Sequence, residues 1–349
     1  MNVAFDVRVE RLGTVLAPDG GATESEGVLN PGFTRARDGR ALLYPRAVQS
    51  GNISRIERVA ISERDGGYDA ARLGFALEPE AAYELRPQPG YGCEDPRVTF
   101  VAVLDEYLMA YTAFGPQGPR IAFARSKDGF EWERLGLVQF EHPGATVGDD
   151  KDAAFFPEPV ISPEGVPSIA FYHRPMLHIS TVNGAAAIPL IERMPFVDRE
   201  SIRIAYIPLD AVVANRRALL RVGESVLVLP PDERWGSIRV GAGTPPVRVA
   251  EGWLSLFHAV DLVRSKSERA KFRYCAGIVV HDAERPHRVL YRSPEPVLVP
   301  ERRSERKGIV DNVVFPTGID PRPDLGARTF DVYYGMADYS CGAVRIVLS

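Results

Sequence analysis

The stretch RIAFARSKDGFEWERLG, residues 120–136, has the pattern of a β-hairpin. An apolar run leads into a Ser-Lys-Asp-Gly turn, and a second strand bearing a tryptophan follows the turn. Similar runs recur along the chain, namely ALLYPRAV (41–48), VTFVAVL (98–104), YLMAYTAF (107–114), PSIAFYHRP (167–175), WLSLFHAV (253–260), YCAGIVV (274–280) and FDVYYGMAD (330–338). Helical periodicity is scarce, and only PLDAVVANRRALL (208–220) predicts a short helix. The sequence therefore predicts an all-β protein.

Five of these strands resemble one another, because each reaches an aromatic residue and then turns polar or charged. The aromatic positions are Tyr44, Tyr111, Tyr172, Phe257 and Tyr334. Each interval between them is long enough for a four-stranded antiparallel sheet, the size of one propeller blade. The pattern predicts a single domain over residues 1–349, a five-bladed β-propeller whose polar strand ends meet in a pocket on the central axis. The competing interpretation is an array of double-sheet sandwiches in two domains.

Composition excludes several classes of partner. The formal net charge of −4, with acids and bases interspersed, predicts no binding to nucleic acid or to an anionic membrane. No run reaches the ~18 apolar residues of a membrane span, and no signal peptide is visible, so a cytoplasmic protein is expected. Three widely spaced cysteines form neither a zinc pattern nor a disulfide framework. The exposed sheet edges and the segment 176–205 are compatible with a homo-oligomer.

The segment GYGCEDPRVTF (90–100) groups Glu94, Asp95 and Arg97 around Pro96, directly before an apolar run. One interpretation is a catalytic acid, Asp95, supported by its two charged neighbours. Burial and the adjacent Glu94 would raise the pKa of Asp95 and keep it protonated near neutrality. Arg97 is then expected to pair with Glu94 or with a carbonyl group. The alternative is an ordinary turn with a charged rim.

Several motifs resemble the inverting mannoside phosphorylases of glycoside hydrolase family 130. They occur in order from about Asn30 to Asp338, and they are GCEDPRVTF, YTAFGPQGPRIAFARSKDGFEWERLG, KDAAFFPEPV, YHRP, RVGAGTPPVRVAEGWLSLFHAV, VVFPTGI and YYGMAD. The resemblance implies a five-bladed β-propeller with its active site on the axis. It also implies phosphorolysis of a β-mannoside, which gives α-mannose 1-phosphate and a free acceptor sugar.

The resemblance also implies roles for individual residues. Asp95 takes the position of the proton donor, whose proton passes through the mannose 3-hydroxyl. Four positions correspond to phosphate-binding residues, each a cation or able to become one: Lys151, Arg174, Arg239 and His258. Asn30, Arg46 and Asp338 correspond to sugar-binding residues. Tyr111 and Phe257 can pack either on a sugar face or in the core. The expected partners are a β-mannoside and inorganic phosphate.

Inverting cleavage needs an acid for the leaving oxygen and a nucleophile on the opposite face of the sugar. Phosphate is already an anionic nucleophile, so a phosphorylase needs cations around it rather than a base. The mechanism requires no metal and no cofactor, with phosphate as the co-substrate. An inverting β-mannosidase on the same fold is the first alternative, with Glu158 or Asp152 as base for water. A sugar-binding propeller without catalysis is the second.

Overall fold

A computed structural model of the protein describes residues 5–65, 67–141, 148–177, 184–223, 225–265 and 268–349. The fold is all-β, as the sequence predicts, and the helices of the described residues are short: α1 (Gly184–Arg193), α2 (Leu209–Ala214) and α3 (Arg303–Arg306). The predicted helix at 208–220 is split, because Asn215 has extended backbone between α2 and a 3-10 turn, Arg216–Leu220. No helix among the described residues is long and apolar enough to cross a membrane.

The strands form five antiparallel units in chain order. The first unit contains β2 (Gly27–Arg35), β3 (Ala41–Gln49), β4 (Ile53–Arg64) and β5 (Gly67–Leu77). The second contains β6 (Tyr91–Val101), β7 (Glu106–Gly115), β8 (Gly118–Ser126) and β9 (Glu133–Leu137). A short parallel pairing of β4 with β6, at Ile53–Tyr91 and Ser54–Gly92, joins the first two units into one eight-stranded sheet. The third contains β11 (Asp150–Phe155), β12 (Val160–Ile161), β13 (Pro167–Pro175), β14 (Ile202–Pro208) and β16 (Ser225–Leu229). Short strands β10 (Gln139–Phe140) and β15 (Arg221–Val222) pair in parallel.

The fourth unit contains β17 (Arg239–Ala242), β18 (Val247–Val249), β19 (Gly252–Ser265), β20 (Glu268–His281) and β21 (Val289–Arg292). The fifth contains β22 (Val314–Pro321), β23 (Thr329–Met336) and β24 (Ser340–Leu348), and it is completed by the first strand of the chain, β1 (Val7–Leu16). Strand β2 contacts β6, β6 contacts β11, β11 contacts β17, and β22 contacts both β19 and β2. The contacts therefore run from the first unit to the fifth and back to the first.

The five similar aromatic residues occupy the same place in successive units. Each lies on the second long strand of its unit, β3, β7, β13, β19 or β23, and each is almost completely buried. Two of them complete an equivalent hydrogen-bond pattern: Tyr111 donates to Glu84 and Tyr334 donates to Glu305, at 2.7 and 2.8 Å. Both carboxylates are fully buried, and a buried carboxylate requires such donors. The recurring aromatic pattern therefore reflects the packing of the core.

The first strand of each of the first three units contains a β-bulge, at which a polar residue leaves the regular pairing of the sheet. The pairing register shifts between Leu29 and Gly32 of β2, between Glu94 and Arg97 of β6, and between Lys151 and Ala154 of β11. The residues inside these shifts include Asn30, Asp95 and Asp152, whose φ angles are 47°, 48° and 60°. Such left-handed backbone is uncommon for residues other than glycine and clusters at functional sites. The bulges of three units thus mark the same place in the fold.

Candidate active site

One cavity of about 210 Å³ gathers residues from all five units. Eight of the residues that the sequence analysis selected line it: Asn30, Arg46, Asp95, Lys151, Arg174, Arg239, His258 and Asp338. They come from bulges, from strand ends and, for Arg46 and His258, from within strands, and they lie far apart in the sequence. A carboxyl group and several cations therefore share one small chamber.

Asp95 is 7% exposed and is held by two neighbouring side chains. The amide of Asn30 donates to its Oδ1 at 2.9 Å, and Nη1 of Arg46 lies 3.5 Å from the same oxygen. Burial raises the pKa of Asp95, but Arg46, Lys151 and Arg97 lower it further than burial raises it. The prediction of a raised pKa is therefore wrong, because Arg46 and Lys151 reach Asp95 from neighbouring units, which the sequence around Asp95 does not show.

Asp338 has the opposite shift. Burial, and then repulsion from Asp95, raise the pKa of Asp338 to about 6. Two carboxyl groups in one cavity cannot both ionise easily, and the group with fewer cations nearby keeps the proton. Asp338 therefore holds the proton of the pair below about pH 6, with Asp95 as the ionised partner, whereas near pH 7 both carboxyl groups are mostly ionised.

Glu94 and Arg97 lie behind the cavity and hold other groups in place. Glu94 accepts from Nη2 of Arg46 at 2.9 Å and from Nζ of Lys151 at 3.4 Å. Arg97, which is 1% exposed, donates to the main-chain oxygen of Asp95 at 2.8 Å and to those of Ala242 and Gly243 at 3.2 and 3.1 Å. Its hydrogen-bond partners are thus carbonyl groups, one of the two pairings that the sequence predicts, and its Nη2 also lies 3.5 Å from Oδ1 of Asp152.

The cationic side of the cavity contains Lys151, Arg174 and Arg239. Nε of Arg174 donates to Asp152 at 2.6 Å, and its Nη1 contacts Glu200. Arg239 contacts the hydroxyl of Tyr274 and makes no ion pair within the ranges that the structure describes. Its charge is therefore not neutralised by a carboxylate there. A guanidinium in this state can grip an oxyanion through two parallel hydrogen bonds.

His258 differs from the prediction that it serves as a cation. Its ring is 1% exposed, and burial together with repulsion from Arg174, Arg97 and Arg239 lowers the pKa of His258 to about 3, although Asp152 opposes the shift. The imidazole is therefore neutral near pH 7. Its Nδ1 is buried without a hydrogen-bond partner in the described residues. A neutral imidazole of this kind can still offer a hydrogen bond to an anion.

Tyr111 does not line the cavity, which corrects its assignment as a sugar contact. Its ring lies in a cluster of buried apolar residues, and its hydroxyl is bound to Glu84. Phe257 is likewise in the core, stacked on Trp235 with ring centroids 5.2 Å apart. Aromatic residues in the middle of a strand pack in the core unless a bulge or strand end exposes them. The sequence pattern contained no signal that distinguished the two cases.

We expect Tyr111→Phe to lower the free energy of unfolding by about 1.5–3 kcal/mol, because a buried carboxylate loses one of its donors. The kcat and KM for the substrate should stay within a factor of two, because Tyr111 does not line the cavity. Urea unfolding and initial rates measure the two effects, and Tyr334→Phe is the matched control at the equivalent contact with Glu305. Unchanged stability with a raised KM would restore Tyr111 as a sugar contact.

Several residues of the cavity were not selected from the sequence as binding residues. They are Asp152, Met176, Tyr274, Val313 and Phe315. Asp152 lies at the centre of the cations, since Arg174 is bound to it and His258 Nε2 lies 3.5 Å from it. Gly241 leaves room for this contact, because a Cβ there would lie 2.2 Å from Asp152 Oδ2. Asp152 lies on a bulge equivalent to those that carry Asn30 and Asp95, and these bulges are visible only in the structure.

Comparison with known proteins identifies what this arrangement resembles. The model of the family Glyco_hydro_130, described as β-1,4-mannooligosaccharide phosphorylase, matches residues 30–184 and 190–348. A 1,2-β-oligomannan phosphorylase from Thermoanaerobacter sp. (strain X514) is 31% identical over 292 residues, which cover 82% of this chain and 77% of that protein.

Two solved structures have the same fold. The β-1,2-mannobiose phosphorylase of Listeria innocua, in complex with β-1,2-mannobiose, superimposes with a TM-score of 0.69 at 22% identity and covers 97% of this chain and 96% of its own. Another, with a TM-score of 0.70 at 20% identity, covers 99% of this chain and 95% of its own. The description of that structure states that the GH130 family of mannoside phosphorylases contains glycoside hydrolases that target β-1,2 mannosidic linkages in Candida mannan.

Proposed function

This chain belongs to glycoside hydrolase family 130, and from that premise we propose that it cleaves β-mannosides by phosphorolysis with inversion. The products are α-mannose 1-phosphate and a free acceptor sugar. The observation that carries the proposal is the convergence of Asp95 with Lys151, Arg174 and Arg239 on one cavity. An acid and a cluster of cations are the two requirements of an inverting phosphorylase.

The proposed fold is a five-bladed β-propeller in a single domain, with the cavity on its axis. Five antiparallel units whose contacts run back to the first favour this arrangement over two domains of sandwiches. The first strand of the chain completes the last unit, and such pairing joins the ends of the chain. The likeness to solved members of the family supports the same arrangement.

In the proposed mechanism, phosphate binds among Lys151, Arg174, Arg239 and His258, and the mannosyl ring contacts Asn30, Arg46 and Asp338. An oxygen of phosphate forms a bond to the anomeric carbon on one face of the ring. The bond between that carbon and the leaving oxygen breaks on the other face. The leaving oxygen receives the proton of the Asp95 carboxyl group, so the acceptor sugar departs as a neutral alcohol.

Phosphate also sets the protonation of the acid in this mechanism. Lys151 and Arg46 lower the pKa of Asp95, and Lys151 and Arg174 face the proposed phosphate site as well. A bound dianion neutralises part of that positive charge, and the pKa of Asp95 rises as a consequence. Asp95 then takes up a proton when the anion binds, and it can act as the donor.

The hydrolytic alternative requires a second carboxylate that activates water. Glu158 is exposed and does not line the cavity. Asp152 does line it, but it is bound to Arg174 and lies near Arg97; burial raises its pKa, and these cations lower it by more. A carboxylate of such low basicity is a poor general base. A binding protein without catalysis, the second alternative, does not need Asp95 on a bulge beside a cation cluster.

The test of the proposed function is the dependence of cleavage on phosphate. Purified protein is mixed with β-1,2- and β-1,4-mannobiose, with and without inorganic phosphate, and the products are followed by proton and phosphorus NMR. We expect α-mannose 1-phosphate to form only when phosphate is present. Equal release of free mannose in phosphate-free buffer would contradict phosphorolysis and support the hydrolase. The β-1,2 linkage is tested first, because the Thermoanaerobacter relative is a 1,2-β-oligomannan phosphorylase.

Asp338→Asn tests the coupling of the two carboxyl groups. Without the neighbouring negative charge the pKa of Asp95 falls, so the proton donor is lost at lower pH. The alkaline limb of the pH dependence of kcat should move to lower pH, on the order of one pH unit. The matched control is Asp105→Asn, an exposed carboxylate outside the cavity. An alkaline limb that stays in place would show that the proton donor does not sense Asp338.

Three further proposals concern the cellular location, the co-substrate and the oligomeric state of the enzyme. A cytoplasmic location fits three cysteines that are all buried free thiols. The mechanism needs phosphate as a co-substrate and no other cofactor. A homo-oligomer is proposed from the exposed sheet edges, and light scattering of the purified protein would test it.

A further inference from the structure

The charged groups around the cavity of the candidate active site balance one another. Among the described residues, the cations that line this cavity or pair directly with its lining residues are Arg46, Arg97, Lys151, Arg174 and Arg239. The carboxylates that do the same are Glu94, Asp95, Asp152, Glu200 and Asp338. Arg239 makes no ion pair there and can bind an anion directly. A phosphate dianion needs a second positive charge, and each of the other cations already has a carboxylate partner.

Three of the paired cations are held by several contacts each. Arg97 donates to three main-chain oxygens, and Arg174 is bound to two carboxylates. Arg46 donates to a hydroxyl, to a side-chain amide oxygen and to a carboxylate. A guanidinium whose nitrogens have separate partners loses several hydrogen bonds if it turns towards a new anion. These three side chains are therefore fixed parts of the site.

Lys151 differs from them because a single long contact holds its charged group. Its Nζ lies 3.4 Å from Oε2 of Glu94, whereas a hydrogen bond between an ammonium and a carboxylate is normally about 2.7–2.9 Å long. Within the ranges that the structure describes, Lys151 makes no other ion pair. Its side chain is 21% exposed, and its ammonium ends a flexible stem of four carbons. The ammonium can therefore leave Glu94 at a small cost.

Glu94 keeps a partner when Lys151 leaves. Its other oxygen, Oε1, accepts from Nη2 of Arg46 at 2.9 Å. Glu94 is 4% exposed, and a buried carboxylate that lost all its partners would be strongly destabilised. Because Arg46 stays in place, a change of partner by Lys151 leaves no buried carboxylate unpaired.

On the premise of the proposed function, we propose that Glu94 competes with phosphate for Lys151. In the free enzyme Lys151 pairs with Glu94. In the phosphate complex Lys151 pairs with the anion, and Glu94 keeps Arg46. The competition weakens phosphate binding, because the new ion pair replaces an existing one. The product carries the same phosphate group, so the return of Lys151 to Glu94 also favours its release. Glu94 thus sets the affinity for the co-substrate without contacting it.

Calorimetry with inorganic phosphate, at constant ionic strength and without a mannoside, tests the exchange. We expect Glu94→Gln to lower the Kd for phosphate about three- to tenfold, on the scale of a partly exposed ion pair. A residue that only held Lys151 in place would give the opposite result, since its loss would raise this Kd. The amide keeps the size of the side chain, and urea unfolding checks the fold. Glu94→Asp, whose shorter side chain withdraws from Lys151, should lower the Kd by less.

A double-mutant cycle with Lys151→Met separates competition from general repulsion between charges. Lys151→Met alone should raise the Kd for phosphate about tenfold or more. In that background Glu94→Gln should change the Kd by less than a factor of two, because the contested cation is gone. An equal lowering of the Kd with and without Lys151 would show that Glu94 acts through its charge alone, and it would overturn the competition.

The two proposals fail in different ways. A protein that binds no phosphate, and cleaves no mannoside in its presence, would contradict the proposed function and the competition together. Phosphate-dependent cleavage, combined with a Kd for phosphate that Glu94→Gln leaves unchanged or raises, would overturn the competition alone.

Discussion

Asp95→Asn is expected to slow phosphorolysis of an unactivated β-mannoside by a hundredfold or more, as expected for a missing general acid. The amide keeps the size of the side chain, and it can keep the contact with Asn30 after a flip of its own group. It cannot deliver a proton to the leaving oxygen. Initial rates at saturating phosphate measure the loss, and urea unfolding shows that the fold is retained.

The leaving group provides the control for this prediction. An acidic phenol leaves an aryl mannoside with little protonation of its oxygen. The loss of rate in Asp95→Asn should therefore be much smaller with that substrate. Glu94→Gln is the matched variant, because this neighbour holds Arg46 and Lys151 behind the cavity. Its defect should not depend on the leaving group. Activity of Asp95→Asn within tenfold of the unaltered enzyme would exclude Asp95 as the acid.

Arg239→Ala is expected to raise the KM for phosphate by roughly 10- to 100-fold, the equivalent of about 1.5–3 kcal/mol for hydrogen bonds to a charged group. Arg239 is the guanidinium of the cavity whose described contacts are a hydroxyl and aromatic rings rather than a carboxylate. Its loss should change the KM for the mannoside by much less. Initial rates across both substrate concentrations separate the two constants.

Arg239→Lys separates charge from geometry. Lysine keeps the positive charge but cannot form two parallel hydrogen bonds, so its KM for phosphate should lie between those of the unaltered enzyme and Arg239→Ala. Equal increases in the KM for phosphate and for the mannoside would mean that Arg239 shapes the whole cavity instead of binding the anion.

The sequence predicted the strand pattern and most of the cavity, because alternating apolar runs and family motifs are local signals. Apolar runs at residues 107–114 and 330–338, for example, lie on β7 and β23 in equivalent units. The motif EDPR located Asp95, and its bulge brings Asn30 and Arg46 to it from the first unit. These residues meet only through the register of the sheets, which no single stretch of sequence specifies.

The errors concern quantities that depend on distant neighbours. The pKa of Asp95 is lowered because Arg46 and Lys151 approach it from other units. His258 is neutral because its strand buries it, although a histidine in a cation cluster suggested a charge. Tyr111 donates to Glu84 because the loop between β5 and β6 brings this carboxylate to the second unit. Each outcome follows from burial and charge in three dimensions.

The most direct test of the account is synthesis in the reverse direction. The protein is mixed with α-mannose 1-phosphate and one acceptor at a time (mannose, β-mannobiose, glucose or N-acetylglucosamine), and released phosphate is measured. Phosphorolysis predicts phosphate release that depends on the acceptor, with a new β-mannoside as the second product. No release with any acceptor, together with cleavage of β-mannosides in phosphate-free buffer, would contradict it.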